Sequence, residues 1–158
     1  MNSVRIQAPA TSANVGPGYD IFALALKEPF DEIEVSLNDS GKISITITND
    51  SQDIPLNPQD NTAGLAAMEL VRALGIKSGV GINIIKHMCS GGGMGTTGAS
   101  AAGAIFGLNT LLNLNLTANE MIDFARKGEV ASGGSPHADN VAAAILGGFI
   151  LVKSYNPI

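Results

Sequence analysis

The stretch Ser90–Ala104, read S-G-G-G-M-G-T-T-G-A-S-A-A-G-A, constrains this chain more than any other. Six of its fifteen residues are glycine, and it joins an apolar run to a long alanine-rich one. Glycine in a strand-to-helix connection leaves backbone N–H groups unobstructed. The helix that follows adds its own unpaired N–H groups and the positive end of its dipole, which together suit a phosphate. Gly91, Gly92, Gly93, Met94, Gly95, Thr96, Thr97, Gly98, Ala99 and Ser100 are therefore the candidate nucleotide-binding segment. Thr96, Thr97 and Ser100 bring hydroxyls suited to a phosphate oxygen or a phosphate-bound Mg²⁺. No Lys-Ser/Thr pair follows the glycines, so this is not a Walker A loop; nor is it G-x-G-x-x-G with an acid some twenty residues on. Taken alone, the pattern equally describes a flexible turn followed by close helix packing.

Composition narrows the class. With 158 residues, 45% of them apolar and 15% charged, the chain reads as one globular domain able to bury a core. A net charge of −5 argues against a nucleic-acid partner or an anionic membrane surface. No apolar run reaches the ~18 residues of a membrane span, and Met1–Pro9 lacks the apolar core of a signal peptide, so a cytoplasmic protein is expected. The single cysteine, Cys89, allows no internal disulfide and no metal cluster, and reads as a buried structural thiol in preference to a reactive one.

In chain order, Val4, Ile6 and Ala8 alternate as a first strand. Ala10–Asp20, A-T-S-A-N-V-G-P-G-Y-D, is rich in turn residues, and its Thr11, Ser12, Asn14 and Asp20 are too closely packed for a simple linker. Ile33, Val35 and Leu37, then Ile43, Ile45 and Ile47, predict two strands paired as a hairpin around Asn38–Lys42. Asp53–Asp60 holds two prolines and reads as loop. A helix is predicted over Thr62–Leu74, capped by Asn61 or Asp60 and stopped by Gly75. Val80, Ile82 and Ile84 form the strand that leads into the glycine segment, and a helix follows from about Thr97 to Leu112. Thr117-Ala-Asn-Glu120 is a capping box for a helix to about Lys127 or beyond. Val141–Leu146 is helical in pattern, and Phe149–Lys153 predicts a last strand.

Gly128–Asn140, G-E-V-A-S-G-G-S-P-H-A-D-N, is the third polar, glycine-bearing segment. Phosphoryl transfer needs a phosphate cradle, an acid for Mg²⁺ and polar groups that place the nucleophile. Glu129 is the candidate metal ligand, since one carboxylate plus substrate phosphates commonly holds Mg²⁺; the alternative is a solvated glutamate at a helix end. His137, beside Asp139 and Asn140, reads either as a polar site residue or as a cap on the last helix.

Three stretches carry a family resemblance. Pro9–Asp20, Gly93–Ser100 (G-M-G-T-T-G-A-S) and Ser132–Phe149 (S-G-G-S-P-H-A-D-N-V-A-A-A-I-L-G-G-F) resemble the three ordered motifs of the GHMP small-molecule kinases, and the third is similar to the homoserine kinase branch of that family. The resemblance covers essentially the whole chain. It implies an α+β fold, a mostly antiparallel sheet with helices on one face and a left-handed βαβ crossover. It implies ATP and Mg²⁺ as cofactors and homoserine as the small-molecule substrate. Residue by residue, it puts Gly93, Gly95, Thr96 and Thr97 on the phosphates and Thr97 and Glu129 at the metal. Asn61 and Lys86 fall near the nucleotide, while Asn14, Asp20, His137 and Asn140 line the homoserine site. Asp20 suits an ammonium and Asn140 can orient a hydroxyl. The branch lacks an aspartate base, so catalysis would rest on alignment and charge stabilisation by Asn140, Glu129 and Thr97.

The sequence departs from the usual G-L-G-S-S-A-A: Met94 replaces Leu, Thr96 and Thr97 replace the serines, and Gly98 replaces an alanine. Cys89 stands where a proline is customary. Family members also carry a C-terminal half with a further glycine motif and substrate-gripping arginines, apparently absent here. Residues 1–158 thus read as the N-terminal nucleotide-binding domain, with low activity expected of the isolated chain. Arg5, Arg72 and Arg126 read as solvated surface charges. Without a second half, the final strand and one helical face favour self-association, a homodimer among the outcomes.

Overall fold

A computed structural model describes residues 3–49 and 54–155. Met1, Asn2 and Asp53, which enter the expected first strand and proline loop, lie outside that set. The elements in chain order are β1 (Ser3–Ala13), β2 (Phe22–Asn38), β3 (Ile43–Thr48), α1 (Thr62–Leu74), β4 (Gly79–Ile85), α2 (Thr96–Leu112), α3 (Ala118–Gly128), α4 (Val130–Gly133), α5 (Asp139–Leu146) and β5 (Phe149–Leu151). They form the expected α+β fold, an open, mostly antiparallel sheet with helices packed on it. Among the described residues no helix is long and apolar enough to cross a membrane.

The sheet runs β1-β2-β4-β3, with β5 adding to the start of β2. The hairpin expected between β2 and β3 does not form. β4 lies between them, antiparallel to β2 from Glu32↔Ile85 to Asn38↔Gly79, and parallel to β3 from Ile43↔Val80 to Thr48↔Ile85. The inward faces explain the order: Val80, Ile82 and Ile84 are all buried, whereas on β3 only Ile45 is, with Ile43 and Ile47 half-buried and Ser44, Thr46 and Thr48 on the exposed face. The more apolar strand takes the centre, and α1 makes the crossover that a parallel neighbour requires.

β2 is also longer than the alternation at Ile33 suggests, because it starts at Phe22. Its register against β1 jumps from Pro9↔Phe30 to Thr11↔Ala25, so 26–29 form a bulge that includes Pro29. β1 in turn continues to Ala13, taking in residues read as turn.

Helix α2 is the centre of the second layer. A Cβ on Gly103 would stand 2.5 Å from Ile33 Cγ1, and one on Gly107 2.6 Å from Val35 Cγ2, so only glycine lets this helix lie so close to β2. Ile105 and Leu108 complete the contact, both fully buried. Local signals set the helix ends. Asn61 Oδ1 accepts from the N–H groups of Ala63 and Gly64, Gly75 closes α1 in the left-handed conformation, and the Thr117–Glu120 capping box starts α3. Cys89 is exposed rather than buried, since it follows the last inward residue of the strand exit, Met88.

Candidate active site

The three polar segments meet at Gly95. This residue is the N-cap of α2 and has φ 62°. A Cβ there would stand 1.9 Å from Thr11 Oγ1 and 2.6 Å from Asn140 Oδ1. Thr11 donates its hydroxyl proton to Asn140 Oδ1 at 2.7 Å, and the Thr11 N–H donates to the Met94 carbonyl at 3.0 Å. Gly98 repeats the requirement one turn on, with Asn140 Cβ 3.0 Å from where its own Cβ would be. That close approach accounts for glycine at a position where the family pattern has alanine.

Gly95 brings no side-chain cap to α2, which leaves the N–H groups of its first turn without a capping side chain, a setting that suits an anion. Thr97 is exposed on that turn and donates to Glu129 Oε2 at 3.4 Å. Glu129 is itself 9% exposed, and its Oε1 is buried with no hydrogen-bond partner. It is not the solvated glutamate of the alternative reading. Burial pushes its carboxyl up to about 7; the Thr97 hydroxyl opposes the shift, the Asp139 charge adds to it and His137 opposes it. A buried carboxylate oxygen without a partner, next to a hydroxyl and a helix N-terminus, fits a divalent cation. Among the described residues no group of three or more His, Cys, Asp or Glu could hold one. Glu129 and Thr97 would therefore hold it together with ligand phosphates and water.

Beside that first turn lies a cavity of about 260 Å³ whose lining includes Asn61, Lys86, Ser90, Gly91, Thr96 and Thr97. Several of the expected ligands there are already engaged. Asn61 uses its carbonyl on the α1 cap and donates from Nδ2 to the Pro55 carbonyl at 2.9 Å. Ser100 donates to the Thr96 carbonyl at 2.9 Å, within its own helix. Lys86 is buried against Asp31, whose other oxygen accepts the N–H groups of His87 at 2.7 Å and Met88 at 2.9 Å. These residues shape the cavity more than they reach into it. Of the remaining glycine-segment residues, Gly91, Gly92 and Gly93 are exposed, Met94 packs on the core and Ala99 is fully buried.

A second cluster gathers Asn14, Asp20 and His137. Asn14 Oδ1 accepts the Asp20 N–H at 2.7 Å and so orients that residue, which has φ 56°. His137 Nδ1 lies 3.4 Å from Asp20 Oδ1, and both side chains are partly exposed. Tyr155, which the sequence gives no reason to select, donates to the Asp20 carbonyl at 2.9 Å and braces the cluster. Asn140 joins Thr11 and Gly95 rather than this group. Of the arginines, Arg126 departs from the expected solvated charge: its side chain is 14% exposed and forks onto Asp123.

The family model for the GHMP kinases N terminal domain matches residues 61–148, more than half of the chain. The chain belongs to the GHMP kinase family. Among this family's curated members, the homoserine kinase of Methanococcus vannielii is 44% identical over 159 residues, covering 100% of this chain and 53% of the relative. The crystal structure of homoserine kinase from Cytophaga hutchinsonii superposes with a TM-score of 0.92 at 37% identity, over 99% of this chain and 50% of that one. The Methanococcus jannaschii mevalonate kinase shares the GHMP kinase fold, with a TM-score of 0.74 at 16% identity over 95% of this chain and 53% of that one. The chain spans about half the length of the curated relatives it matches.

Proposed function

We propose that this chain is the nucleotide-binding portion of an ATP-dependent kinase that phosphorylates the side-chain hydroxyl of homoserine, giving O-phosphohomoserine for threonine synthesis. The observation that carries the reading is Glu129 Oε1, buried and unpartnered beside the Thr97 hydroxyl at the N-terminus of α2. The homoserine kinases at 44% identity support the choice of substrate.

In this reading the first-turn N–H groups of α2 receive phosphate oxygens. Thr97 and Glu129 would hold Mg²⁺, which supplies charge neutralisation across the phosphates when bound. Asn140 has its Oδ1 committed to Thr11, so it offers its amide N–H groups to a substrate hydroxyl. Asp20, aimed by Asn14, receives the substrate ammonium. The contribution of these residues is alignment and electrostatic stabilisation, which suffices for a loose phosphoryl-transfer transition state.

The test is ADP release by the natural protein with homoserine, threonine, mevalonate and shikimate, each at saturating ATP. Turnover on homoserine at least about 10²-fold above the others is expected. Turnover on mevalonate or shikimate instead would make this a different GHMP kinase. ATP binding without turnover on any of them would make it a binding module.

A further inference from the structure

Two buried side-chain atoms among the described residues have no hydrogen-bond partner, Glu129 Oε1 and Ser90 Oγ. The first belongs to the metal site proposed above; the second is unused by it. Ser90 opens the glycine segment, inside a turn where the Gly92 N–H donates to the Cys89 carbonyl at 3.2 Å. It lines the 260 Å³ cavity. Four other polar side chains of that wall have partners within the protein: Asn61 caps α1, Lys86 faces Asp31, Thr62 donates to the Thr97 carbonyl at 3.0 Å, and Ser100 donates to its own helix. The hydroxyl of Ser90 stands apart from them. A buried donor left unpaired is costly, and natural proteins keep few without a use.

We propose that Ser90 contacts the bound nucleotide, its hydroxyl hydrogen-bonding the nucleoside portion and so separating nucleotides from bare polyphosphate. This rests on the nucleotide reading of the cavity. The nucleoside is assigned rather than the phosphates on two grounds. The wall that Ser90 shares includes Ile54, Pro55 and Ile84, which suit the flat apolar face of a base. The cation on that wall, Lys86, is neutralised by Asp31, whereas the groups suited to phosphate belong to the first turn of α2.

The test is isothermal titration of the natural protein and its Ser90→Ala variant with ATP, adenosine and inorganic tripolyphosphate, with thermal unfolding of the unliganded forms alongside. Ser90→Ala should bind ATP and adenosine about 3- to 10-fold more weakly, the value of one hydrogen bond. Tripolyphosphate affinity should stay level, and the unliganded Tm should not fall, because the substitution removes an unpaired buried group. Equal ATP affinity in the two proteins overturns the role of Ser90 and leaves the site reading standing. Equal losses for tripolyphosphate and ATP overturn the nucleoside assignment. A lowered Tm with every ligand weakened makes Ser90 structural and overturns the proposal. No ATP binding by the natural protein overturns the nucleotide reading and this inference with it.

Discussion

Thr97 and Glu129 face each other across two helices, the hydroxyl of one donating to Oε2 of the other at 3.4 Å while Oε1 stays unpaired. In the proposed site this pair joins the first turn of α2 to an acid that would serve a phosphate-bound cation. Glu129→Gln keeps the shape and removes the charge. In the natural protein it should lower kcat by about 10²-fold or more, the typical loss for one charge-stabilising contact, with an unchanged circular dichroism spectrum. A variant with near-normal kcat would remove Glu129 from the site.

The same carboxyl predicts a pH dependence of stability. Its folded pKa is raised from 4.5 to about 7, chiefly by burial. A raised carboxyl contributes stability that is fully present below pH 4.5 and is lost as pH rises through 7. The metal-free wild type should therefore fall behind Glu129→Gln across that window. By pH 8 the gap should be on the order of 3 kcal/mol, and near pH 4 it should close. Denaturant titrations in EDTA at pH 4, 6 and 8 measure it; a constant difference across the series would contradict the assignment.

Gly95 tolerates no side chain. Gly95→Ala forces a Cβ into Thr11 Oγ1 and Asn140 Oδ1 and holds alanine at φ 62°. Backbone strain alone costs about 1–3 kcal/mol, and the clash adds to it. A clear fall in Tm together with loss of nucleotide binding is expected. Thr11→Ala in the same chain should recover part of the stability, which a double-mutant cycle reads directly.

Asp20→Asn should raise KM for homoserine by about 10- to 10²-fold, the range for hydrogen bonds to charged groups, and leave ATP affinity unchanged. Steady-state kinetics in both substrates check it. If ATP binding weakens and homoserine binding does not, Asp20 serves the nucleotide instead.

Asp31 and Lys86 form a buried pair. Removing one partner strands a charge, so Asp31→Asn should cost about 3–5 kcal/mol. Asp31→Leu combined with Lys86→Met replaces both charges and should recover most of that loss in urea unfolding. Failure of the double variant to recover would show that the N–H groups of His87 and Met88, which also rely on Asp31, carry the larger share.

Signals that act within a few residues were legible before the fold was known. Asn61, Gly75 and the Thr117–Glu120 box place helix ends because the bonds they make are local. The glycine segment likewise announces α2. Strand pairing is not local: the run of residues around Asn38–Lys42 satisfies a hairpin, and only the burial demanded by Val80, Ile82 and Ile84 puts β4 between β2 and β3. The site shows the same division. Each of its three segments could be read as unusual, but the meeting of Thr11, Gly95 and Asn140 could not. The Asp31–Lys86 pair did leave a trace. Asp31 shares the parity of Ile33 and Val35, and Lys86 that of Ile82 and Ile84, so alternation alone puts both charges inward, where each needs the other.

Thr11 and Asn140 stand 129 positions apart in the chain. The rear wall of the glycine loop is thus built by a contact that spans most of the chain, and closing such contacts is slow relative to forming helices. A synthetic peptide spanning Ser90–Leu112 would carry every glycine of the loop together with Thr96 and Thr97 and still lack that wall. In the proposed site, nucleotide affinity is accordingly a property of the finished fold, and its appearance during refolding would time the moment when β1 and α5 both reach Gly95.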